Sequence, residues 1–318
     1  MSQTSWKAGL AALLFATAAV PTVRGDDPQP PKSLDQMMEA IGPGVRVGIV
    51  VTGPQKAEGE ATAIRKNAEA ALPTASSIKT AIMIELFAKF PKALDVPPPG
   101  LDAILKDDHP AVAHFEPGPR REIRAGLAGA SVRRIGRVML GSEAASNHVY
   151  NAASNVAIAL LGGPDETTRL IHARDPAFAP IMVRRYMLTD RKARGDNESS
   201  AEALAAVLGR LAAREVPGLD AAAVEACRMV VSVSDDPARG RRRFKDGALD
   251  STPITRVATG WYERPDGPPL VYVVMLAQDD PGPTPVAEAA AKLEAAATRL
   301  AEAAVDPLLA KDRAAPSR

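Results

Sequence analysis

Apolar positions along the chain change period several times, and each change predicts a different element. An unbroken apolar stretch from Ala8 to Val20 follows Lys7 and precedes the compact residues Val23 and Gly25. It is shorter than the roughly 20 residues a bilayer span needs, and it has the form of a secretory signal removed before Asp26. Ser33 is placed to cap a short helix from Leu34 to Ile41, stopped by Gly42-Pro43-Gly44. Val45 to Thr52 is β-branched and apolar on both faces, as a covered strand should be, and a second strand is expected around Glu60 to Arg65. Between Ser76 and Phe90 the apolar residues occupy nearly every face, which predicts a helix buried on most sides and closed by Pro91.

From Pro91 to about Val231 the pattern is helical. Ser131 caps Val132 to Leu140, Asn151 to Leu161 ends at Gly162-Gly163-Pro164, and Ser199 to Arg214 forms a further helix. Strand signals return at Ile254 to Glu263 and Leu270 to Ala277, which flank the turn residues Arg264-Pro265-Asp266-Gly267. An alanine-rich helix from Pro285 to Ala304 follows, and the chain is expected to fray over 305–318. Strands at both ends with helices between them predict an α/β (α+β) fold. One antiparallel sheet would be built from N- and C-terminal segments (about 33–70 and 232–304) with flanking helices. An all-helical domain would be inserted over about 71–231, and a cleft would lie between the lobes.

Composition narrows the function classes. With 39 Lys+Arg against 38 Asp+Glu in 318 residues the formal charge is +1, so neither a strongly basic nucleic-acid binder nor an acidic disordered chain is indicated. The single cysteine, Cys227, forms no internal disulfide and no thiolate metal cluster. The four histidines lack a metal-ligand spacing, so no metal and no cofactor is expected. Later apolar runs are short and broken by charge, so stable membrane insertion is not expected either. The basic run Arg239-Gly240-Arg241-Arg242-Arg243 reads as a solvated loop.

The segment with the most chemical content is Ser76-Ser77-Ile78-Lys79. Residues at i and i+3 share a helix face, so Ser76 and Lys79 can meet if Ser76 stands in the first turn. Unpaired N–H groups and the helix dipole there favour an oxyanion and disfavour an ammonium, and burial lowers the lysine pKa further. A neutral Lys79 could then take the Ser76 proton and make its hydroxyl a nucleophile for acyl transfer.

Ser76-x-x-Lys79, between two strand signals and an apolar helix, resembles the first box of the class A β-lactamases and related penicillin-recognising serine hydrolases. The second box of that family, Ser-Asp-Asn, follows a helix ending in Met and has another Asn four positions past its own. Here Met139-Leu140 precedes Ala145-Ser146-Asn147, with Asn151 four further on and Leu161-Gly162-Gly163 at the helix end. The third box, Lys-Thr-Gly, reads as Ala258-Thr259-Gly260-Trp261. The resemblance implies a β-lactamase/transpeptidase-like fold for the mature chain. It also implies substrate contacts from Asn147, Thr259 and Gly260, an oxyanion hole from the N–H groups of Ser76 and Trp261, and a small-molecule or peptide substrate such as a β-lactam or peptidoglycan fragment.

Three departures qualify the expected activity. Ala145 stands where the family has a proton-relaying serine, and Ser146 takes over only if the register shifts by one, with His148 then replacing the box asparagine. Ala258 replaces the lysine of the third box, for which Arg256 on the same strand face is the substitute. No glutamate occurs from Ile181 to Asp190, where the family's deacylation base is expected, and Asp190 is the nearest carboxylate. The sequence therefore reads as an exported, periplasmic or secreted serine hydrolase with impaired deacylation. The alternative is a catalytically inactive binding protein on the same fold.

Overall fold

The computed structural model describes residues 33–55, 61–264 and 267–313. The signal-like segment, the start of the second predicted strand and the tip of the late hairpin lie outside them. Strand β1 (Val45–Gln55) pairs antiparallel with β2 (Ala61–Lys66) on one side. A separate two-stranded ladder joins β3 (Leu72–Pro73) to β4 (Glu198–Ser199). The C-terminal part supplies β5 (Ser232–Asp236), β6 (Gly240–Phe244), β7 (Gly247–Leu249), β8 (Ile254–Tyr262) and β9 (Leu270–Gln278). The main sheet has seven strands in the order β2-β1-β9-β8-β6-β5, with β7 also on β8, and all its pairings are antiparallel.

Period-two alternation gives this sheet two buried faces. On β9, Leu270, Tyr272, Val274 and Leu276 belong to one core, and Val271, Val273, Met275 and Ala277 to the other. The first core is covered by α1 (Leu34–Glu39), whose Ser33 and Gln36 form a capping box, and by the C-terminal helix. The second is covered by the helices that run between the two groups of strands. These are α2 (Lys79–Lys89), α3 (Leu101–Ile104), α4 (Pro117–Leu127), α5 (Val132–Leu140), α6 (Asn147–Leu161), α7 (Pro164–Arg174), α8 (Arg191–Arg194), α9 (Ala201–Ala213) and α10 (Ala221–Val230). Helix α2 packs among α5, α6, α7 and α10, which explains why its residues from Lys79 to Phe87 are all buried.

Two elements depart from the sequence reading. The basic run is not a loop but strand β6, because its charges are neutralised locally: Arg243 bonds Glu263 (2.7 Å) and the Arg228 carbonyl (2.8 Å), and Arg242 bonds Asp246 (3.0 Å). The last helix, α11 (Val286–Arg313), does not stop at Ala304. Leu308 and Leu309, each 7% exposed, dock on the sheet and carry the helix past Pro307 into the expected frayed tail.

Beneath α2, Glu85 is 3% exposed and holds Arg174 through two bonds of 2.7 and 2.9 Å. Removing one partner of a buried pair strands the other charge. Glu85→Ala is expected to destabilise the fold by about 3–5 kcal/mol, read as a lower denaturant midpoint at unchanged slope. Cys227 is fully buried close by, and burial pushes its thiol up to about 12.

Candidate active site

Ser76 stands in the turn that enters α2, its carbonyl accepting from the Lys79 N–H (3.2 Å). The preceding residue, Ala75, is held at φ +48, a left-handed conformation that costs a non-glycine residue of order 1–3 kcal/mol and is tolerated where the surroundings dictate it. They do so here. A Cβ on Gly247 of β7 would lie 2.6 Å from the Thr74 carbonyl oxygen and 3.0 Å from the Ser76 nitrogen, so only glycine lets the strand edge approach the serine this closely. Ser76 lines a cavity of about 900 Å³ that also reaches Asn147, Tyr150, Asn151, Met187 and Ala248.

Lys79, one turn on, is fully buried, and its Nζ donates to Asn151 Oδ1 at 3.0 Å. The same nitrogen lies 3.3 Å from the centroid of the Tyr150 ring, with Lys245 Nζ 5.4 Å from that centroid. Desolvation first, and repulsion from Lys245 second, hold the Lys79 amine well below the ordinary lysine range. An amine so placed gives up its proton more readily than an ordinary lysine and, once uncharged, can accept one.

The register of the second box is corrected by one helical turn. Asn151, not Asn147, reaches Lys79, and Asn155 stands four positions beyond it, with its side chain bonding the backbone of Met187 at both N (2.6 Å) and O (3.2 Å). Asn147 lines the cavity mouth and accepts from Asn151 Nδ2 at 2.9 Å through its backbone and side-chain oxygens, so it orients the asparagine that meets the lysine. In this register the box reads Val149-Tyr150-Asn151, and the buried Val149 packs against Gly126 of α4, away from the cavity. Ser146 is exposed, caps α6 by accepting from Val149 N (3.4 Å), and is not among the cavity's residues. His148 pairs with Glu122 at the surface (3.4 Å).

The third box is corrected as well. Thr259 and Trp261 point their side chains to the helical side of the sheet, 1% and 0% exposed, and neither they nor Gly260 line the cavity. The Trp261 backbone is inside the sheet between Arg243 and Val271, which removes its N–H from the oxyanion role. Lys245-Asp246-Gly247 instead occupies the strand edge beside Ser76, because β6 and β7 continue in one register along β8, from Arg242↔Tyr262 to Gly247↔Val257. Lys245 N donates to Thr259 O (3.3 Å), so alternate residues face β8 and the Ala248 N–H points off the open edge toward the cavity. Ser76 N–H and Ala248 N–H are thus the neighbouring backbone donors that can receive an oxyanion. Thr259 acts from behind, its hydroxyl donating to the Lys245 carbonyl (2.5 Å) and its N–H to Asp246 (2.9 Å). Arg256 does line the cavity, paired across the strands with Ala248 and bound to Asp250 (2.5 Å) and Glu294 (2.7 Å). The signals that would have found these positions were Asn-x-x-x-Asn counted back from Gly162-Gly163 and a Lys-x-Gly directly after the basic run.

The loop facing Ser76 from the other side is tied by a buried pair, Arg185 to Asp196 (2.9 Å). Its residue pinned by Asn155 is Met187, a thioether that moves no proton, followed by Leu188 at φ +65. Asp190 caps α8 and lies off the cavity. Among the described residues no group of three or more His, Cys, Asp or Glu could hold a metal ion, and no helix is long and apolar enough to cross a membrane.

No family model matches the sequence, and no curated protein matches it. Solved structures do. The reconstructed class A β-lactamase of the last common ancestor of Gram-negative bacteria superposes with a TM-score of 0.62 at 18% identity, over 86% of this chain and 98% of that one. The chain has the class A β-lactamase fold. The class A enzyme of Mycobacterium abscessus matches with a TM-score of 0.57 at 20% identity, over 84% of this chain and 95% of that one. The β-lactamase of Streptomyces albus G gives 0.54 at 19%, over 82% and 97%. Within this β-lactamase fold the sheet from both chain ends and the inserted helices bring Ser76, Tyr150 and Asn151 to one cavity, with Lys79 buried behind Asn151 and Lys245 beside the Tyr150 ring.

Proposed function

We propose that the chain is an exported serine hydrolase of the β-lactamase fold that is acylated at Ser76 by β-lactams or cell-wall peptides and releases the acyl group slowly. The observation that carries this is Ser76 at the strand edge, with a buried amine of lowered pKa one turn behind it. Lys79 takes the Ser76 hydroxyl proton, Oγ adds to the substrate carbonyl carbon, and the Ser76 and Ala248 N–H groups hold the developing O⁻. When the C–N bond breaks, the leaving nitrogen takes up the proton that Lys79 gained. Lys245, beside the Tyr150 ring, supplies positive charge for a substrate carboxylate, while Arg256 is held by Asp250 and Glu294. Slow release follows from Met187, which cannot activate water for attack on the acyl group.

One observation favours a second reading, a binding protein that does not acylate. Among the described residues the hydrogen-bond partner of Lys79 Nζ is Asn151, not Ser76, and the Tyr150 ring covers the amine. Incubation with a fluorescent penicillin followed by intact-mass measurement separates the two. A single stable adduct mapped to Ser76 and absent from Ser76→Ala is expected. A folded protein that stays unlabelled at high probe concentration supports the binding reading instead.

A further inference from the structure

Once Lys79 has taken the Ser76 proton, an ammonium group stands at a fully buried position. Among the described residues no carboxylate pairs with it, and the neighbouring charge that acts on it, that of Lys245, is repulsive. Glu85, further along α2, is occupied by Arg174, and Asp246, next to Lys245, by Arg242. A buried cation with nothing to compensate it gives up its proton, so a base at this place needs a group that receives the charge.

Two groups meet the amine, from consecutive positions of α6, which packs along α2. Asn151 Oδ1 accepts from Nζ at 3.0 Å, and the Tyr150 ring presents its face, with the centroid 3.3 Å from Nζ. The amide oxygen accepts an N–H from the charged or the neutral amine alike. The negative potential over an aromatic face discriminates, because it attracts a full positive charge, and it does so more strongly where water is excluded. The ring is held at its far edge by the turn that ends α5, since a Cβ on Gly141 would lie 3.8 Å from Tyr150 Cε2. Lys245 Nζ is further from the same centroid, at 5.4 Å, and donates to the Asp246 carbonyl at 2.7 Å. The ring is therefore committed to Lys79.

We propose that Tyr150 is a positioning residue for acylation, with the face of its ring, not its hydroxyl, receiving the Lys79 ammonium as the proton leaves Ser76. The proposal rests on the reading of Lys79 as the base for Ser76. In that step the Oγ–H bond breaks and an Nζ–H bond forms, and the electron pair left on Oγ goes to the substrate carbonyl carbon. The ring works against the two influences that weaken the amine, burial and Lys245, and keeps it basic enough to take the proton.

The wild type is compared with Tyr150→Phe and with a full chain carrying pentafluorophenylalanine at position 150, whose ring keeps its shape while its face loses the negative potential. The first readout is the protonation midpoint of Lys79, followed by NMR of protein labelled at lysine Cε, with Lys79→Met assigning the signal. Tyr150→Phe is expected to keep the wild-type midpoint. The fluorinated ring is expected to lower it by about one pH unit or more, a loss of about tenfold in proton affinity. The second readout is the rate at which a penicillin labels Ser76 at a pH above all the midpoints. It should be about threefold or more slower with the fluorinated ring than in Tyr150→Phe, because the weaker base takes the proton less readily. If the fluorinated protein does not fold by circular dichroism, Tyr150→Leu replaces it with the same expected shifts. A midpoint or a labelling rate equal in the fluorinated protein and Tyr150→Phe, or a midpoint already a unit lower in Tyr150→Phe, overturns the proposal. If no penicillin labels Ser76 in any of these proteins, it is the reading of Ser76 that fails, and the midpoints alone decide whether the ring holds the ammonium.

Discussion

Lys79→Ala is expected to slow labelling of Ser76 by a penicillin about 10²- to 10⁴-fold, the usual loss on removing a general base, with the fold retained. The pH dependence identifies the base. In the wild type the labelling rate rises as Lys79 loses its proton and levels off well below the ordinary lysine range, because burial and Lys245 hold its pKa down. Lys79→Arg, charged throughout, is expected to lack that rise. The same shift makes a stability prediction with a definite sign. The folded state binds the Lys79 proton more weakly than the unfolded chain, so the unfolded chain carries more protons between the lowered pKa and the unfolded one. Stability therefore rises with pH across that interval. Lys79→Met removes the contribution and is expected to flatten the slope and raise the thermal midpoint at neutral pH. A labelling rate unchanged in Lys79→Ala would exclude the lysine as base.

Met187→Glu is the change expected to gain the most. Asn155 fixes the Met187 backbone at both N and O, and Met187 lines the cavity with Ser76, so a carboxylate introduced there starts from a held position. If missing water activation limits release, hydrolysis of the acyl-enzyme should speed up by about 10²- to 10⁴-fold. A stoichiometric labelling reaction would become turnover. The measurement is decay of the Ser76 adduct by intact mass, alongside steady-state hydrolysis of a chromogenic cephalosporin. Met187→Gln, of similar shape but unable to take a proton, should leave the adduct as long-lived as in the wild type. Equal decay in all three proteins would place the block elsewhere.

Much of the architecture was legible because it is written in local periodicity. The two-sided apolar strand at Val45, the all-round apolar helix after Ser76 and the capped helix from Val132 to Leu140 have signals that tertiary context reinforces. The site was legible only at Ser76 and Lys79, where the spacing itself brings residues together. The second and third boxes were displaced for a physical reason. Both asparagine pairs, Asn147/Asn151 and Asn151/Asn155, have the same spacing, and only the packing of α6 against α2 decides which asparagine reaches the lysine. Strand β6 was hidden by its arginines, since the sequence does not show that Glu263 and Asp246 neutralise them across the sheet and along the strand. Lys245-Asp246-Gly247 was hidden with it, and Gly247 shows its importance only through contact with the turn that holds Ser76.

The sealed thiol of Cys227 has a practical corollary. With the chain's one native sulfhydryl closed to maleimides, a cysteine introduced at the exposed Leu188, beside Met187 on the cavity wall, would be the single attachment point for a fluorophore. Its emission would report molecules arriving in the cavity without touching Ser76 or Lys79.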